Sequence, residues 1–212
     1  LVDADALIVR SVTRVDAGLL QGSRVRFVGT ATIGTDHIDE QYLRNESIGF
    51  AYAPGCNADS VAQYIVAALI ALHDNDSAVL TDKTLGVVGS GNVGSRVARL
   101  GRALGMTVLA NDPPLQHNTG DMTLVPLQRI QEEADIVSLH VPLTTTGRWP
   151  THHLADARFF AALAPGTVFM NTSRGAVVDE NALAEARDRL GAVVLDVYEN
   201  EPAVSDRTLD LS

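Results

Sequence analysis

Apolar residues along this chain fall in short runs that alternate with stretches of helical spacing. Ala6–Val9 has strand length, Ala17–Leu20 reads as a brief helix, 25–30 as a second strand, 38–46 as a helix begun near Asp36, and Gly49–Tyr52 as a third strand. Over Ala58–Leu72 the positions Val61, Ile65, Ala68, Leu69 and Leu72 share one helical face, with Asn57 or Asp59 available as N-cap. The polar run His73-Asp74-Asn75-Asp76-Ser77 then marks a joint, so residues 1–73 read as one domain with its linking helix and 74–212 as a second. A second series follows, with strands at 85–88, 107–110, 135–140, 167–171 and 192–196. Helices at 92–104, 126–133, 156–162 and 180–189 separate them, with a loop at Pro113-Pro114 and another through Trp149. Strand-helix alternation at this pitch predicts parallel sheets covered by helices, and the five later strands predict a doubly wound domain.

Composition narrows the function classes. The chain has 212 residues, 46% of them hydrophobic, enough for two modest packed domains. Its net charge is −10 with a pI near 4.9 and no basic cluster, which argues against nucleic acid or an anionic membrane as partner. Positive charge comes from fifteen Arg and one Lys, Lys83, a bias that fits either a GC-rich genome or a salty habitat. The single cysteine, Cys56, cannot form an internal disulfide, and a reduced cytoplasmic setting is expected. No signal peptide is visible and the apolar runs are too short to span a membrane. The chain enters a strand without an initiator Met and stops in what reads as a turn or helix, so an interior piece of a longer protein is expected. Edge strands that the missing pieces would cover should lower its solubility or stability.

The most specific pattern is Gly89-Ser90-Gly91-Asn92-Val93-Gly94, a G-x-G-x-x-G turn between a strand and a helix, followed by Asp112 18 residues after Gly94 at the end of the next strand. The first glycine makes the tight turn, the second lets backbone approach a pyrophosphate, and the third lets helix and strand pack closely. The helix start, at Asn92 and Val93, offers backbone N–H groups and a partial positive charge to the phosphates. An acid at Asp112 would accept from ribose hydroxyls and repel a 2′-phosphate, favouring NAD over NADP. The agreement of strand, turn, helix and acid predicts a nucleotide site of the Rossmann type, against a glycine turn used only for packing.

Ligands in open α/β sheets bind outside the carboxyl ends of the strands, and three polar clusters lie there: 138–143, 171–179 and 196–202. Arg174 follows a buried strand and precedes Gly175, a costly place for a guanidinium unless an anion or acid meets it. Either it grips a substrate carboxylate bidentately, or it pairs with Asp179 or Glu201 for structure alone.

These clusters, His140-Val141-Pro142-Leu143, Asn171 to Asp179 and Asp196 to Pro202, resemble the H-x-P-L, N-x-x-R-G-x-x-V-D and D-V-x-x-x-E-P motifs of the D-2-hydroxyacid dehydrogenase family, in the same order and spacing. The strings Val9-Arg10-Ser11-Val12-Thr13, Ala53-Pro54-Gly55-Cys56-Asn57-Ala58, Asp112-Pro113-Pro114 and Thr151-His152-His153-Leu154, with residues 28–39, narrow the resemblance to a branch acting on a small phosphorylated 2-hydroxy acid. The implied fold is α/β, a doubly wound parallel-sheet (Rossmann) NAD domain plus an incomplete flavodoxin-like substrate domain. The resemblance further implies hydride transfer from C2 of the substrate to NAD, with Arg174 holding the carboxylate and C2 oxygen. Glu201 would orient a general-base His that lies beyond the chain end, so the chain alone is expected to bind NAD weakly or not at all and not to turn over. Val141 and Pro142 would flank the adenosine, Thr172 and Ser173 the nicotinamide, and Asp196 would accept from the carboxamide, unless it merely caps the next segment.

Ser11 and Thr32, at strand ends, are expected against the substrate, and Arg10 either at its phosphate or as a plain surface charge. The full-length protein is expected to be a homodimer. No metal is expected: His152 and His153 read as helix-entry or surface residues without a third ligand. His37 reads as a hydrogen-bonded turn residue, His140 as a residue of the adenine side rather than the base, and Cys56 as a packed hinge residue rather than a nucleophile. Another member of the family, such as a phosphoglycerate dehydrogenase, would use the same parts. An NAD(H)-sensing binding protein would not need a carboxylate clamp, so Arg174 with Glu201 favours catalysis.

Overall fold

The structure, a computed structural model, describes residues 1–10, 12–72, 80–201 and 203–204. It divides into two compact units, Leu1–Asn57 and Ala58–Ser212. The first holds strands β1 (Ala6–Val9), β2 (Phe27–Thr30) and β3 (Gly49–Tyr52), with helices α1 (Ala17–Leu20) and α2 (Glu40–Asn45) between them. The strands form a parallel sheet in the order β1-β2-β3. Asp16 and Asp39 cap the two helices by accepting from the backbone N–H groups of Leu19 and Tyr42. Capping by Asp39 explains why α2 starts at Glu40 and not at the earlier apolar Ile38, which instead joins Val9, Val15, Leu20, Val25, Val28 and Leu43 in the core.

In the second unit, α3 (Ala58–Leu72) precedes β4 (Thr84–Val88), α4 (Asn92–Ala103), β5 (Thr107–Asn111), α5 (Pro113–Thr119), α6 (Leu127–Glu133) and β6 (Ile136–Leu139). Then come α7 (Ala157–Ala162), β7 (Val168–Asn171), α8 (Glu180–Ala186) and β8 (Ala192–Leu195). Its five strands are all parallel, in the order β5-β4-β6-β7-β8. Alternation along β4 separates two cores. Leu85 and Val87 pack with Ala62, Ile65, Leu69, Val97 and Ala98 of α3 and α4. Val88 packs on the other side with Ile130, Phe159, Phe160 and Leu183 of α6, α7 and α8. Both faces are therefore covered, which is why the strands read as continuous apolar runs.

Two differences from the sequence reading have physical causes. Helix α3 packs on α4 and the five-stranded sheet, and its Asp59 accepts from Arg96 Nε at 2.8 Å, so the units divide before it and not after residue 73. The polar run 73–77 lies outside the described residues. Residues 113–119 form a helix where the two prolines suggest a loop, because proline is tolerated in a first turn, whose N–H groups have no intrahelical partner. Asp112 caps that helix through Leu115 N at 2.9 Å, and Gly120, at φ +69°, ends it in the left-handed conformation.

Gly86 of β4 lets α6 lie close to the sheet: a β-carbon there would strike the Ile130 side chain and come within 3.1 Å of Ala134 Cβ. Gly86→Ala should therefore destabilise the second unit by about 1–3 kcal/mol, read as a lower midpoint in urea unfolding.

Candidate active site

Helix α4 carries the chain from β4 to β5 on one side, and later crossovers reach β6 on the other, so the carboxyl ends of β4 and β6 flank a crevice at the topological switch point. The chain leaves β4 through Gly89, at φ +93°, where a β-carbon would lie 2.5 Å from the His140 carbonyl oxygen. Gly94 rests on the Gly89 carbonyl so closely that no side chain fits. Gly91 differs from both: nothing lies within 4 Å of where its β-carbon would be, and it caps α4 with no side-chain bond. Clear space thus stands before the first turn of α4 at Asn92 and Val93.

Asp112 follows β5 beside this turn, one carboxylate oxygen accepting from Ser90 N at 2.8 Å and the other from Leu115 N at 2.9 Å. The carboxylate ties the glycine loop to the start of α5. Beside it lies a cavity of about 470 Å³, lined by Val88, Leu127, Val141, Trp149 and Leu154 with Asp112 at its edge. Trp149 meets His117 edge-on, and the Arg148 guanidinium lies 4.8 Å from its ring centre. The sequence reading placed Trp149 only in a loop. A lone tryptophan between Arg148 and Pro150, in a long connection after a buried strand, was the available signal.

His140 also lines this cavity. Its Nε2 is 2.9 Å from Ser138 Oγ, its Nδ1 is shut off from solvent with no partner among the described residues, and burial pushes its pKa down to about 4.

At the end of β7, buried Asn171 organises the next turn. Its Nδ2 donates to Arg174 O, and its Oδ1 accepts from both the backbone N–H and the hydroxyl of Ser173. The Ser173 hydroxyl is thereby spent inside the turn, whereas Thr172 Oγ1 is buried with no partner among the described residues. Half-buried Arg174 donates through Nη1 to Ser173 O at 2.7 Å. Asp179, one of the two acids the sequence offers to Arg174, uses Oδ1 to cap α8 through Asn181 and Ala182 N–H. Gly175 has no room for a β-carbon because the Tyr198–Glu199 peptide lies against it. That approach brings the 196–201 turn onto the Arg174-Gly175 turn. Glu201 accepts there from Tyr198 N at 2.7 Å, and no helix follows Asp196 among the described residues. Desolvation, then the Glu201 charge, raise the Asp196 pKa; desolvation, then Asp196 and Tyr198, raise that of Tyr64 on α3.

In the first unit, Thr32 follows β2, its hydroxyl donating to Gly34 O at 2.8 Å and 2.7 Å from Thr30 Oγ1. His37 Nε2 meets Thr30 Oγ1 at 3.1 Å in the same turn. Arg10 is exposed just after β1, Ser11 lies outside the described residues, and Cys56 is exposed rather than packed. The sequence offers His152 and His153 no third ligand, but folding supplies Glu199, and the three side chains offer ligand atoms within 4.8 Å of one another.

The family model for the NAD binding domain of D-isomer specific 2-hydroxyacid dehydrogenases matches residues 62–212. The chain belongs to this family. The match begins inside α3, in keeping with the packing of that helix in the second unit. Among curated members, the erythronate-4-phosphate dehydrogenase of Chromohalobacter salexigens is 53% identical over 211 residues, 99% of this chain and 55% of that protein. The enzyme of the same name from Salinibacter ruber is 55% identical over 94% of this chain and 53% of its own length. The chain thus spans about half the length of the curated relatives it matches. Among solved members, D-lactate dehydrogenase from Aquifex aeolicus, complexed with NAD and lactic acid, superposes with a TM-score of 0.79 at 30% identity, covering 98% of this chain and 71% of that one. NAD⁺-bound 3-phosphoglycerate dehydrogenase from Entamoeba histolytica gives 0.79 at 28% identity, covering 94% and 66%. Among the described residues no helix is long and apolar enough to cross a membrane.

His140 gives this member of the dehydrogenase family a pH signature. The unfolded chain takes up a proton on this imidazole near pH 6.5, while the folded one resists until about 4, so its contribution to stability is lost as pH falls through that window. His140→Gln should flatten the fall in unfolding free energy between pH 7 and 4.5 by at most about 3 kcal/mol, measured by urea titration against the unsubstituted chain.

Proposed function

We propose that the protein containing this chain oxidises 4-phospho-D-erythronate to 2-oxo-3-hydroxy-4-phosphobutanoate, a step in pyridoxal 5′-phosphate biosynthesis, with NAD as cofactor. The observation that carries the reading is the seating of the turn with Glu201 on the turn with Arg174, beside the glycine-lined crevice. The names of relatives at 53% and 55% identity support the substrate.

The residues present suit NAD. The clear space at Gly91 lies at the cap of α4, next to Asn92 and Val93 in sequence, which suits a pyrophosphate, and Gly89 and Gly94 hold that turn in shape. Each Asp112 oxygen already accepts one backbone N–H and keeps a lone pair for a ribose hydroxyl, while its charge opposes a 2′-phosphate. Val141 and the apolar cavity suit an adenine, with Trp149 as a further wall. Thr172, with its unspent hydroxyl, is assigned to the nicotinamide side together with Ser173, whose N–H and hydroxyl are both committed to Asn171 and which shapes the turn there. Asp196 is assigned to the carboxamide.

When bound, NAD supplies the acceptor for the hydride leaving C2. Arg174 grips the substrate carboxylate with its planar fork and polarises the C2 oxygen. Glu201 orients a neutral His outside this chain and stabilises the imidazolium that forms as that His takes the hydroxyl proton. Arg10 is assigned to the phosphate, and Ser11 and Thr32 to the rest of the substrate. The whole protein is proposed to be a cytoplasmic homodimer, to be read by sedimentation.

Steady-state turnover of the full-length protein should favour 4-phosphoerythronate over 3-phosphoglycerate and lactate; preference for either of the others would overturn the substrate assignment. Arg174→Gln should lower kcat/KM on the order of 10²–10³-fold. Asp112→Ala should raise the KM for NAD and admit NADP, and unchanged cofactor kinetics would remove Asp112 from the site.

A further inference from the structure

We propose that His153 is a positioning residue that acts through Glu199 to fix the 196–201 turn on the Arg174-Gly175 turn, an inference that rests on the roles assigned above to Arg174 and Glu201. His153 Nε2 lies 2.5 Å from Glu199 Oε1, across 46 residues of sequence, with the two side chains only 34% and 21% exposed. A partly buried pair is less screened than one in open solvent and holds its geometry more firmly.

Both partners are held in place by further bonds. His153 has φ +51°, a backbone conformation that side chains other than glycine adopt at a cost, and its N–H donates to Ala176 O at 2.9 Å. Ala155 continues the zipper, donating to Val177 O and accepting from Asp179 N. The loop after β6 is thus bonded along residues 176–179, directly after the Arg174-Gly175 turn, and this sets the imidazole over Glu199. Glu199 in turn donates its backbone N–H to Glu180 Oε1 at 2.7 Å, at the start of α8. Its neighbour Tyr198 donates to Glu201 Oε1. The acid assigned to the reaction is therefore two residues from one clamped at both side chain and backbone. Thr151 and Leu154, on either side of the two histidines, line the apolar cavity, so the same short segment touches the cofactor crevice and the Glu201 turn.

A metal chelate explains the cluster less well. The His152 and His153 rings stack at 4.0 Å with 24° between their planes, so their lone pairs lie in separate, nearly parallel planes, a poor arrangement for meeting at one ion. The nitrogen of His153 nearest the acid is already bonded to it.

The test compares His153→Ala, His153→Gly, His153→Gln, Glu199→Ala and Glu199→Gln. Glycine removes the imidazole and the backbone strain together, so His153→Gly should melt higher than His153→Ala while sharing its defect. In the full-length protein, His153→Gly, His153→Ala and Glu199→Ala should lower kcat about tenfold with the KM for NAD within about twofold, because the loss is in alignment and not in binding. His153→Gln and Glu199→Gln, which can keep a hydrogen bond across the pair, should recover most of it. Hydrogen exchange on the full-length protein gives a readout independent of substrate: the amides of Tyr198 and Glu199 should exchange faster in His153→Gly. Unchanged exchange there overturns the inference, and so does faster exchange with kcat unaltered, which would leave the pair merely structural. If the unsubstituted full-length protein turned over none of the three hydroxyacids, the proposed function would fail and, with it, the reaction role given to His153, while unaltered or faster exchange would still decide whether the clamp exists.

Discussion

The structure of the second unit depends on one backbone contact, the seating of Gly94 on the carbonyl of Gly89. It presses the first turn of α4 against the exit of β4, and any β-carbon there would push them apart. With that distance fixed, the carboxyl ends of β4 and β6 flank a crevice, and nothing lies within 4 Å of where a β-carbon of Gly91 would stand at the cap of α4. Asp112 then locks the arrangement by accepting from the loop on one side and from α5 on the other. A residue chosen for ligand chemistry is thus also a structural tie, and the two duties are compatible because a carboxylate has more lone pairs than backbone partners here.

A second glycine contact does for the reaction end what the first does for the cofactor end. Gly175 accepts the Tyr198–Glu199 peptide against its bare Cα, and this close approach joins segments that are more than twenty residues apart in sequence. Arg174 and Glu201 come from different strand ends, β7 and β8, and share a neighbourhood only because all the strands are parallel and end on one edge. Asn171 stabilises the Arg174 turn from within, at the expense of the Ser173 hydroxyl.

Much of the fold was legible because burial on both faces leaves a strong signal. Each of β4 to β8 is a short apolar run, and α3 and α4 carry clean helical stripes. The exceptions lie where local rules compete. Pro113-Pro114 reads as a break because proline interrupts helices, yet it opens α5, since Asp112 makes the position a capped helix start. Helix α3 follows the first series in sequence, but its Ala62, Ile65 and Leu69 side chains find their partners in the sheet that comes after it.

The sequence by itself determined the alternation of strands and helices, the glycine turn with its acid, and the family, because these rest on local spacing and on residue types that few other arrangements require. Only the tertiary structure decided which polar groups are already spent and which remain. It committed Ser173 to Asn171, Asp179 to α8 and Glu199 to His153, and left Thr172 Oγ1 and His140 Nδ1 without partners among the described residues. Nor could spacing have foreseen Glu199 meeting His153. That pairing is made across tens of residues of chain, where hydrogen-bond satisfaction and packing in three dimensions choose the partner and local pattern carries no information.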